Sequence, residues 1–122
     1  LAMLAHCGPQ RDVVFHCFTG TVSEAEEILD RGYWISLTGV VTFKRSDELR
    51  QVAKLIPEER LMIETDSPYL SPEPVRGIRP NEPSHLQYTA ACIAQTRGLN
   101  VEALTQITTA NTRRFFNLPE RV

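Results

Sequence analysis

The sequence has 122 residues, of which 42% are hydrophobic, and its 13 Lys and Arg against 15 Asp and Glu give a formal charge of −2. This composition fits one globular domain and excludes a disordered chain. No run of residues approaches the roughly 20 apolar residues that span a bilayer, so no membrane partner is expected. A charge near neutral excludes a protein that coats nucleic acid through a broad basic surface, while allowing a small phosphate-binding active site.

The beginning of the chain and its cysteines bear on its origin. Residues 1–4 lack the initiator Met, the basic segment and the cleavage site of a signal peptide, so we expect a chain cut from a longer one. Cys7, Cys17 and Cys92 form no C-x-x-C pair, and an odd number of cysteines cannot close a full set of intrachain disulfides. We therefore expect a reducing, cytoplasmic setting.

The first two predicted elements are a strand and a helix. Residues 13–18 (VVFHCF) form a short apolar run that predicts a strand buried on both faces, with His16 near its end. Ser23 and Glu26 have the spacing of a capping box, apolar residues recur behind them at helical spacing, and Gly32 is placed to end the helix.

The pattern then repeats along the chain. Residues 33–43 are rich in β-branched and aromatic side chains and predict a second strand that runs into a loop, with a break at Gly39. A second helix is predicted from Ser46 to the residue before Pro57. Residues 60–66 predict a third strand.

A long proline-rich loop and two helices complete the chain. Residues 67–83 contain five prolines, too many for a simple connection, so we interpret this segment as a loop on the substrate side. One helix is predicted from Ser84, ending at Gly98, and another from Asn100.

The alternation of strands and helices predicts an α/β fold with a parallel sheet and right-handed crossovers. Three strands cannot close a barrel, and a (β/α)8 barrel needs about 250 residues. We therefore predict that residues 1–122 form a single segment, about half of such a barrel.

Two predicted strands end in residues that bind metals. His16 and Asp66 lie at the carboxyl ends of the first and third predicted strands, where parallel strands gather functional side chains, and an imidazole with a carboxylate suits a divalent cation. Two other interpretations stay open: His16 as a core histidine bonded to a backbone carbonyl, and Asp66 as a cap of a helix or turn. Glu64 shares a strand face with Asp66, and two buried carboxylates are costly unless a cation neutralises them.

Four cationic side chains fall in the loops after the second and third strands. Lys44 and Arg45 follow the second strand, and Arg76 and Arg79 follow the third. Together they could hold a phosphate at the mouth of the barrel, where the strands end. Ordinary solvated surface charge is the alternative. Cys17 has no base at a suitable spacing, so we predict a buried structural thiol rather than a nucleophile.

Four motifs stand in order along the chain: H-C-F-T-G at 16–20, E-T-D-S-P-Y-L at 64–70, R-P-N-E-P at 79–83, and T-T-A-N-T-R-R-F-F at 108–116. In residues, order and spacing, this set resembles the TatD-type metal-dependent deoxyribonucleases. The likeness extends over residues 13–118, which is nearly the whole chain.

The resemblance implies a fold and a chemistry. The family is a TIM-barrel branch of the amidohydrolase-like metal hydrolases, so the three predicted strands would be its sixth, seventh and eighth. It implies hydrolysis of phosphodiester bonds in DNA with a divalent cation, Mg²⁺ or Mn²⁺ and alternatively Zn²⁺. His16 matches a metal-binding histidine, and Asp66 matches an aspartate that binds metal and orients or deprotonates the attacking water. Glu64 would support these ligands, and the cationic loop residues would hold the phosphate.

The resemblance also implies residues that this chain lacks: an H-x-D-x-H motif on the first strand, a glutamate on the fourth and a histidine on the fifth. Ile78 and Pro80 depart from the family pattern on either side of Arg79, which makes Arg79 a weaker candidate. We therefore expect the C-terminal half of a TatD-like 3′–5′ exonuclease, with exposed outer strands that favour self-association. Two other functions stay open: a metal-dependent amidohydrolase or esterase on a small molecule, and a non-catalytic half barrel that serves as an interaction module.

Overall fold

The computed structural model describes residues 1–6 and 12–120, so Cys7 lies outside the described residues. Within these ranges, helices alternate with three short strands. In chain order the elements are α1 (Ala2–His6), β1 (Val14–Phe15), α2 (Val22–Asp30), β2 (Trp34–Leu37), α3 (Asp47–Leu55), β3 (Leu61–Ile63), α4 (Leu86–Arg97) and α5 (Val101–Phe116). None of the helices in the described ranges is both long and apolar enough to cross a membrane.

The three strands form one parallel sheet in the order β1-β2-β3, which confirms the predicted α/β fold with a parallel sheet. Phe15 pairs with Ile35, and Ile35 pairs in turn with Leu61. Helices α2 and α3 lie between consecutive strands along the chain. Because the strands are parallel, their carboxyl ends all lie at one edge of the sheet and their amino ends at the opposite edge.

All three strands are shorter than the sequence predicts. The strand predicted over 13–18 covers only Val14–Phe15 and is half-buried, not buried on both faces, because β2 is its one strand neighbour among the described residues. The second strand ends at Leu37, and the predicted break at Gly39 is confirmed by a 3₁₀ turn over Gly39–Thr42. The third ends at Ile63, before both candidate acidic residues.

The capping box of α2 is not the predicted one. Thr21, not Ser23, precedes the helix: its side chain accepts a hydrogen bond from the Glu24 backbone N–H, and the Glu24 carboxylate accepts one from the Thr21 backbone N–H at 2.8 Å. The alternative pair, Ser23 with Glu26, lies inside the helix. Both residue pairs have the same spacing, so the pattern alone does not distinguish them.

The other helix boundaries agree more closely with the sequence. Ser46 precedes α3, and Asn100 caps α5 by accepting a hydrogen bond from the Ala103 backbone N–H at 2.7 Å. Helix α4 begins at Leu86, two residues later than predicted, because a 3₁₀ turn occupies Pro83–His85. Its predicted end at Gly98 is confirmed, with a φ of 67° that suits glycine.

The apolar core joins the sheet to the helices that cover it. Strands β2 and β3 and helices α2 to α5 all contribute side chains that are at most 2% exposed, including Ile28, Ile35, Leu37, Val52, Leu61, Ile93 and Leu104. Full burial of one such side chain contributes about 1.5–3 kcal/mol to folding. The core therefore fixes where each strand ends, and with it the positions of the side chains that follow.

A polar cluster closes the amino edge of the sheet; we call Trp34, Arg60, Asn111 and Arg114 the amino-end cluster. Asn111 is 3% exposed, and its side-chain amide donates hydrogen bonds to the carbonyls of Glu58 and Leu61. The guanidinium groups of Arg60 and Arg114 lie 5.3 and 5.0 Å from the centroid of the Trp34 ring. This cluster ties the end of α5 to the start of β3.

Candidate functional site

His16 lies directly after β1, in a turn at the carboxyl edge of the sheet. Its side chain is 75% exposed, so the structure excludes the interpretation of His16 as a buried core histidine. The turn is sharp, because the next residue, Cys17, has a φ of 48°, in the left-handed region. This conformation ends the strand and leaves the imidazole in solvent at the edge.

Glu64 follows β3 and connects the two outer strands. Its Oε1 accepts a hydrogen bond from the backbone N–H of Cys17 at 3.0 Å and lies 3.4 Å from Nδ1 of His16. The backbone N–H of Glu64 donates to the carbonyl of Leu37 at 3.0 Å, which continues the pairing with β2 past the end of the strand. The carboxylate is thus fixed on both sides, by its own backbone and by the turn that carries His16.

Asp66 completes a group of three. One nitrogen or oxygen atom from each of His16, Glu64 and Asp66 lies within 4.8 Å of the other two. Among the described residues, no backbone N–H donates to the Asp66 carboxylate, as it would if Asp66 capped a helix or turn; its carbonyl accepts from the Tyr69 N–H at 2.7 Å. The sequence prediction that His16 and Asp66 meet at one edge therefore agrees with the geometry, and Glu64 lies as close as they do.

This donor set suits a divalent cation. An imidazole and two carboxylates match the ligands of Mn²⁺ and Zn²⁺, and the carboxylates also suit Mg²⁺. Two carboxylates at this separation repel each other in the absence of a positive charge. The three residues therefore fit a metal ion both in the chemistry of their donor atoms and in their mutual distances.

Cys17 lies beside the acidic pair without the features of a nucleophile. Partial burial, with the nearby carboxylate of Asp66 as the next cause, raises the pKa of the Cys17 thiol to about 11. The thiol is therefore protonated at neutral pH, when a nucleophile would need to be a thiolate. Its Sγ lies 3.9 Å from the hydroxyl of Thr38. Cys17 is half-buried and lies in a turn, so its predicted burial on a strand is wrong, while the raised pKa agrees with a structural thiol and not with a nucleophile.

The four candidate cations divide into two pairs. Arg76 and Arg79 line a cavity of about 320 Å³ beside the residues that follow Asp66. Lys44 and Arg45 lie in an exposed turn between the 3₁₀ turn of Gly39–Thr42 and α3, and they are not among the residues that line this cavity. The structure therefore brings only Arg76 and Arg79 together around one cavity.

Two features of this region were not predicted from the sequence. The guanidinium of Arg76 lies over the Phe43 ring, 3.5 Å from its centroid, and the exposed ring of Tyr69 borders the same cavity. Phe43 and Arg76 are 33 positions apart in the sequence, so no periodicity could pair them. Tyr69 stands in the quoted E-T-D-S-P-Y-L motif, and its place three residues after Asp66 is the one signal that could have identified it.

Comparison with known proteins gives consistent results. A family model described as TatD related DNase matches residues 1–117. The uncharacterized metal-dependent hydrolase YabD of Bacillus subtilis is 43% identical over 105 residues, covering 86% of this chain and 41% of that protein. The 3′-5′ ssDNA/RNA exonuclease TatD of Citrobacter koseri is 44% identical over 109 residues, covering 86% of this chain and 42% of that protein.

The fold is also similar to that of a solved structure. The crystal structure of YJJV, a TatD homolog from Escherichia coli K12, matches with a TM-score of 0.83 at 29% identity. The match covers 97% of this chain and 45% of that one. The chain thus spans about two fifths of the length of the curated relatives that it matches.

Proposed function

Since this chain belongs to the family of TatD-related DNases, as its four motifs indicate, we propose that it supplies part of the active site of a metal-dependent phosphodiesterase that removes nucleotides from the 3′ ends of DNA. The observation that carries the proposal is the convergence of His16, Glu64 and Asp66 at the carboxyl edge of the parallel sheet. The name of the Citrobacter koseri relative, a 3′-5′ ssDNA/RNA exonuclease, supports this polarity.

In this proposal, His16 and Asp66 hold a divalent cation, Mg²⁺ or Mn²⁺ in preference to Zn²⁺. Such a cation supplies a Lewis acid that lowers the pKa of a water molecule and stabilises negative charge on the phosphoryl oxygens. The names of the relatives as metal-dependent hydrolases support the need for a metal.

Glu64 orients His16. With Nδ1 of His16 protonated and donating toward Glu64 Oε1, 3.4 Å away, Nε2 keeps its lone pair for the cation. The backbone N–H of Cys17 holds the same carboxylate oxygen in place, so the imidazole and its support move together. Asp66, whose carboxylate accepts no backbone hydrogen bond among the described residues, is free to orient the attacking water and accept its proton.

The cations of the loops bind the substrate phosphates in this proposal. Arg76 and Arg79 line a cavity formed in part by the loop that follows Asp66, and guanidinium groups bind phosphate oxygens in a bidentate way. Lys44 and Arg45, which lie in the exposed turn before α3, act at longer range by raising the local positive potential. Residues 67–83, which directly follow Asp66, form the substrate-side loop.

We also propose the place of this chain in the whole enzyme. Strands β1, β2 and β3 correspond to the last three strands of a (β/α)8 barrel, and the other strands supply further ligands. The chain covers about two fifths of its curated relatives, which fits a part of a barrel, and the outer strands β1 and β3 favour association with other strands.

The test is metal-dependent release of nucleotides by the complete gene product that carries these residues. Single-stranded DNA labelled at its 5′ end should shorten one nucleotide at a time in Mn²⁺ and stay intact in EDTA. His16→Ala should lower the rate about 10- to 100-fold or more, because it removes a ligand. The matched control is His6→Ala, which removes an exposed histidine at the end of α1.

Three results would contradict the proposal. One is shortening of the DNA that proceeds equally in EDTA, and another is an equal loss of rate in the His6→Ala and His16→Ala variants. The third is turnover of a small amide or ester by a protein that leaves DNA intact, which would favour an amidohydrolase or esterase.

A further inference from the structure

The cavity formed in part by the loop that follows Asp66 is lined by both cationic and aromatic residues. Arg76 and Arg79 are the cationic residues of this lining, and Phe43 and Tyr69 are the aromatic ones. Its volume of about 320 Å³ is at the lower end of the range for small-molecule sites. Cationic and aromatic side chains around one cavity are the combination that binds a phosphate together with a flat ring.

Arg76 is held in one position before any ligand arrives. Its guanidinium lies 3.5 Å from the centroid of the Phe43 ring, a cation–π distance, and Phe43 follows the 3₁₀ turn at the end of β2. The Phe43 carbonyl in turn accepts a hydrogen bond from Arg50 of α3 at 2.7 Å. A cation fixed by stacking loses little side-chain entropy when it binds a phosphate.

The loop that carries Tyr69 is fixed by hydrogen bonds. Asn81, 4% exposed, donates through its side-chain amide to the Tyr69 carbonyl and through its backbone to the Pro68 carbonyl, at 2.7 and 2.9 Å. The hydroxyl of Ser71 donates to the Ile78 carbonyl at 2.7 Å. These bonds close residues 68–81 into a compact loop.

The same loop is packed closely against the end of β2. A Cβ atom on Gly39 would lie 2.8 Å from the Leu70 carbonyl oxygen, so only glycine allows this approach. Leu70 itself has a φ of 58°, a left-handed conformation that is costly for a leucine. The loop thus adopts an unfavourable conformation at the residue next to Tyr69, and Tyr69 itself is 73% exposed.

We propose that Tyr69 is a stacking platform for a nucleobase of the bound strand, with the phosphate of the same nucleotide held by Arg76 and Arg79. The proposal rests on the proposed function, because it takes the ligand to be a nucleic acid. The position of Tyr69 in the chain supports it: Tyr69 follows Asp66 by three residues, and its backbone N–H donates to the Asp66 carbonyl at 2.7 Å. Stacking accepts any base, as an exonuclease requires.

The first test uses binding without turnover. Fluorescence anisotropy in EDTA measures the affinity of the full chain for two labelled probes, a ten-residue oligothymidylate and a ten-residue abasic deoxyribose phosphate strand. Tyr69→Ala should weaken binding of the oligothymidylate about 10-fold and leave binding of the abasic strand unchanged. Tyr69→Phe keeps the ring and should behave like the native chain.

A matched control removes an exposed ring elsewhere. Phe116→Ala, at the end of α5, should leave both affinities unchanged, since Phe116 is 57% exposed and does not line the cavity. Arg76→Gln should weaken binding of both probes, because both carry phosphates, while Arg76→Lys should restore part of the loss. Equal effects of Tyr69→Ala on both probes, or an effect of Phe116→Ala as large as that of Tyr69→Ala, would overturn the proposal.

The second test separates this inference from the proposed function. In the complete gene product with Mn²⁺, Tyr69→Ala should raise the KM for oligothymidylate about 10-fold while kcat stays within about 3-fold of the native value. Hydrolysis with an unchanged KM would overturn the stacking platform and leave the phosphodiesterase intact. Binding that depends on Tyr69 without metal-dependent hydrolysis would overturn the phosphodiesterase and leave the platform intact.

Discussion

Both edges of the parallel sheet carry polar side chains, but the side chains at the two edges differ in burial and in hydrogen bonding. At the amino edge, Asn111 is 3% exposed and its amide donates to two backbone carbonyls. At the carboxyl edge, the His16 side chain is 75% exposed and lies beside the carboxylates of Glu64 and Asp66. The Asn111 amide is satisfied within the chain, whereas the carboxyl edge leaves an exposed imidazole beside two carboxylates.

The two edges therefore differ in role, because the amino edge contributes to stability and the carboxyl edge holds the candidate metal ligands. A buried amide whose two N–H groups are both hydrogen-bonded stabilises the fold. Removing it leaves two backbone carbonyls without a hydrogen bond, which lowers the free energy of unfolding. Two neighbouring carboxylates destabilise the fold on their own and become favourable when a cation binds. The comparison agrees with the general division of parallel α/β barrels, in which the carboxyl ends of strands carry function and the amino ends carry stability.

The largest expected effect is that of Asp66→Asn on activity. In the proposed function Asp66 is both a metal ligand and the proton acceptor, so its replacement should lower kcat/KM of the complete gene product for DNA about 10²- to 10⁴-fold. The melting temperature should stay the same or rise, because one of two repelling charges is gone. The control is Asp30→Asn, an exposed acid at the end of α2.

A large fall in the melting temperature of the Asp66→Asn variant would contradict this division of roles, since it would mean that Asp66 stabilises the fold at the carboxyl edge. Equal activity of the Asp66→Asn and Asp30→Asn variants would do the same, because the carboxyl edge would then carry no chemistry.

The next effect is that of Asn111→Leu on stability. Leucine has a similar size but cannot donate, so the carbonyls of Glu58 and Leu61 lose their partner. The free energy of unfolding should fall by about 2–4 kcal/mol, measured by urea denaturation followed by the fluorescence of Trp34, the one tryptophan. The Mn²⁺ affinity of the folded chain should not change; a loss of affinity with unchanged stability would reverse the roles of the two edges.

The smallest effect concerns the pH dependence of Cys17 in EDTA. Its pKa is raised above the ordinary value of 9.0 to about 11, so the folded chain holds this proton more tightly than the unfolded chain. The resulting contribution to stability is complete below pH 9 and is lost as the pH rises through about 11.

Alkylation by iodoacetamide measures this pKa in a variant with Cys7→Ser and Cys92→Ser. The rate should have its midpoint near pH 11 in the folded chain and near 9 in urea. A folded midpoint at or below 9 would mean that Cys17 is a reactive thiol, and the carboxyl edge would then hold a nucleophile.

Much of the fold follows from the sequence because local patterns determine it. Residues close together in the chain predict the order of strands and helices from β1 to α5, the break at Gly39 and the end of α4 at Gly98, but not helix α1. Strand lengths were overestimated, because apolar residues continue past the point at which the backbone leaves the sheet. Thr21 was missed as a cap because two residue pairs had the same spacing.

The candidate site was predictable only in part. His16 and Asp66 were expected together, since parallel strands bring their carboxyl ends to one edge. The contact of Glu64 with the turn at Cys17 depends on a left-handed conformation that the residue pattern does not indicate. The T-T-A-N-T motif does not indicate that the Asn111 amide donates a hydrogen bond to the Leu61 carbonyl, 50 positions earlier, at the amino edge. Such roles depend on packing between distant segments.

The most direct test of the candidate metal site at the carboxyl edge is to locate bound Mn²⁺ by NMR in the isotope-labelled full chain. Substoichiometric Mn²⁺ broadens the amide signals nearest to it, so the position of the ion can be read without any assay of activity. A cation held by His16 and Asp66 should broaden the signals of residues 16–17 and 64–66 most strongly at the lowest Mn²⁺ concentrations, and those of residues 58–61 and 111–114 least. Broadening that is centred on the amino-end cluster, or spread evenly over the acidic surface, would contradict it.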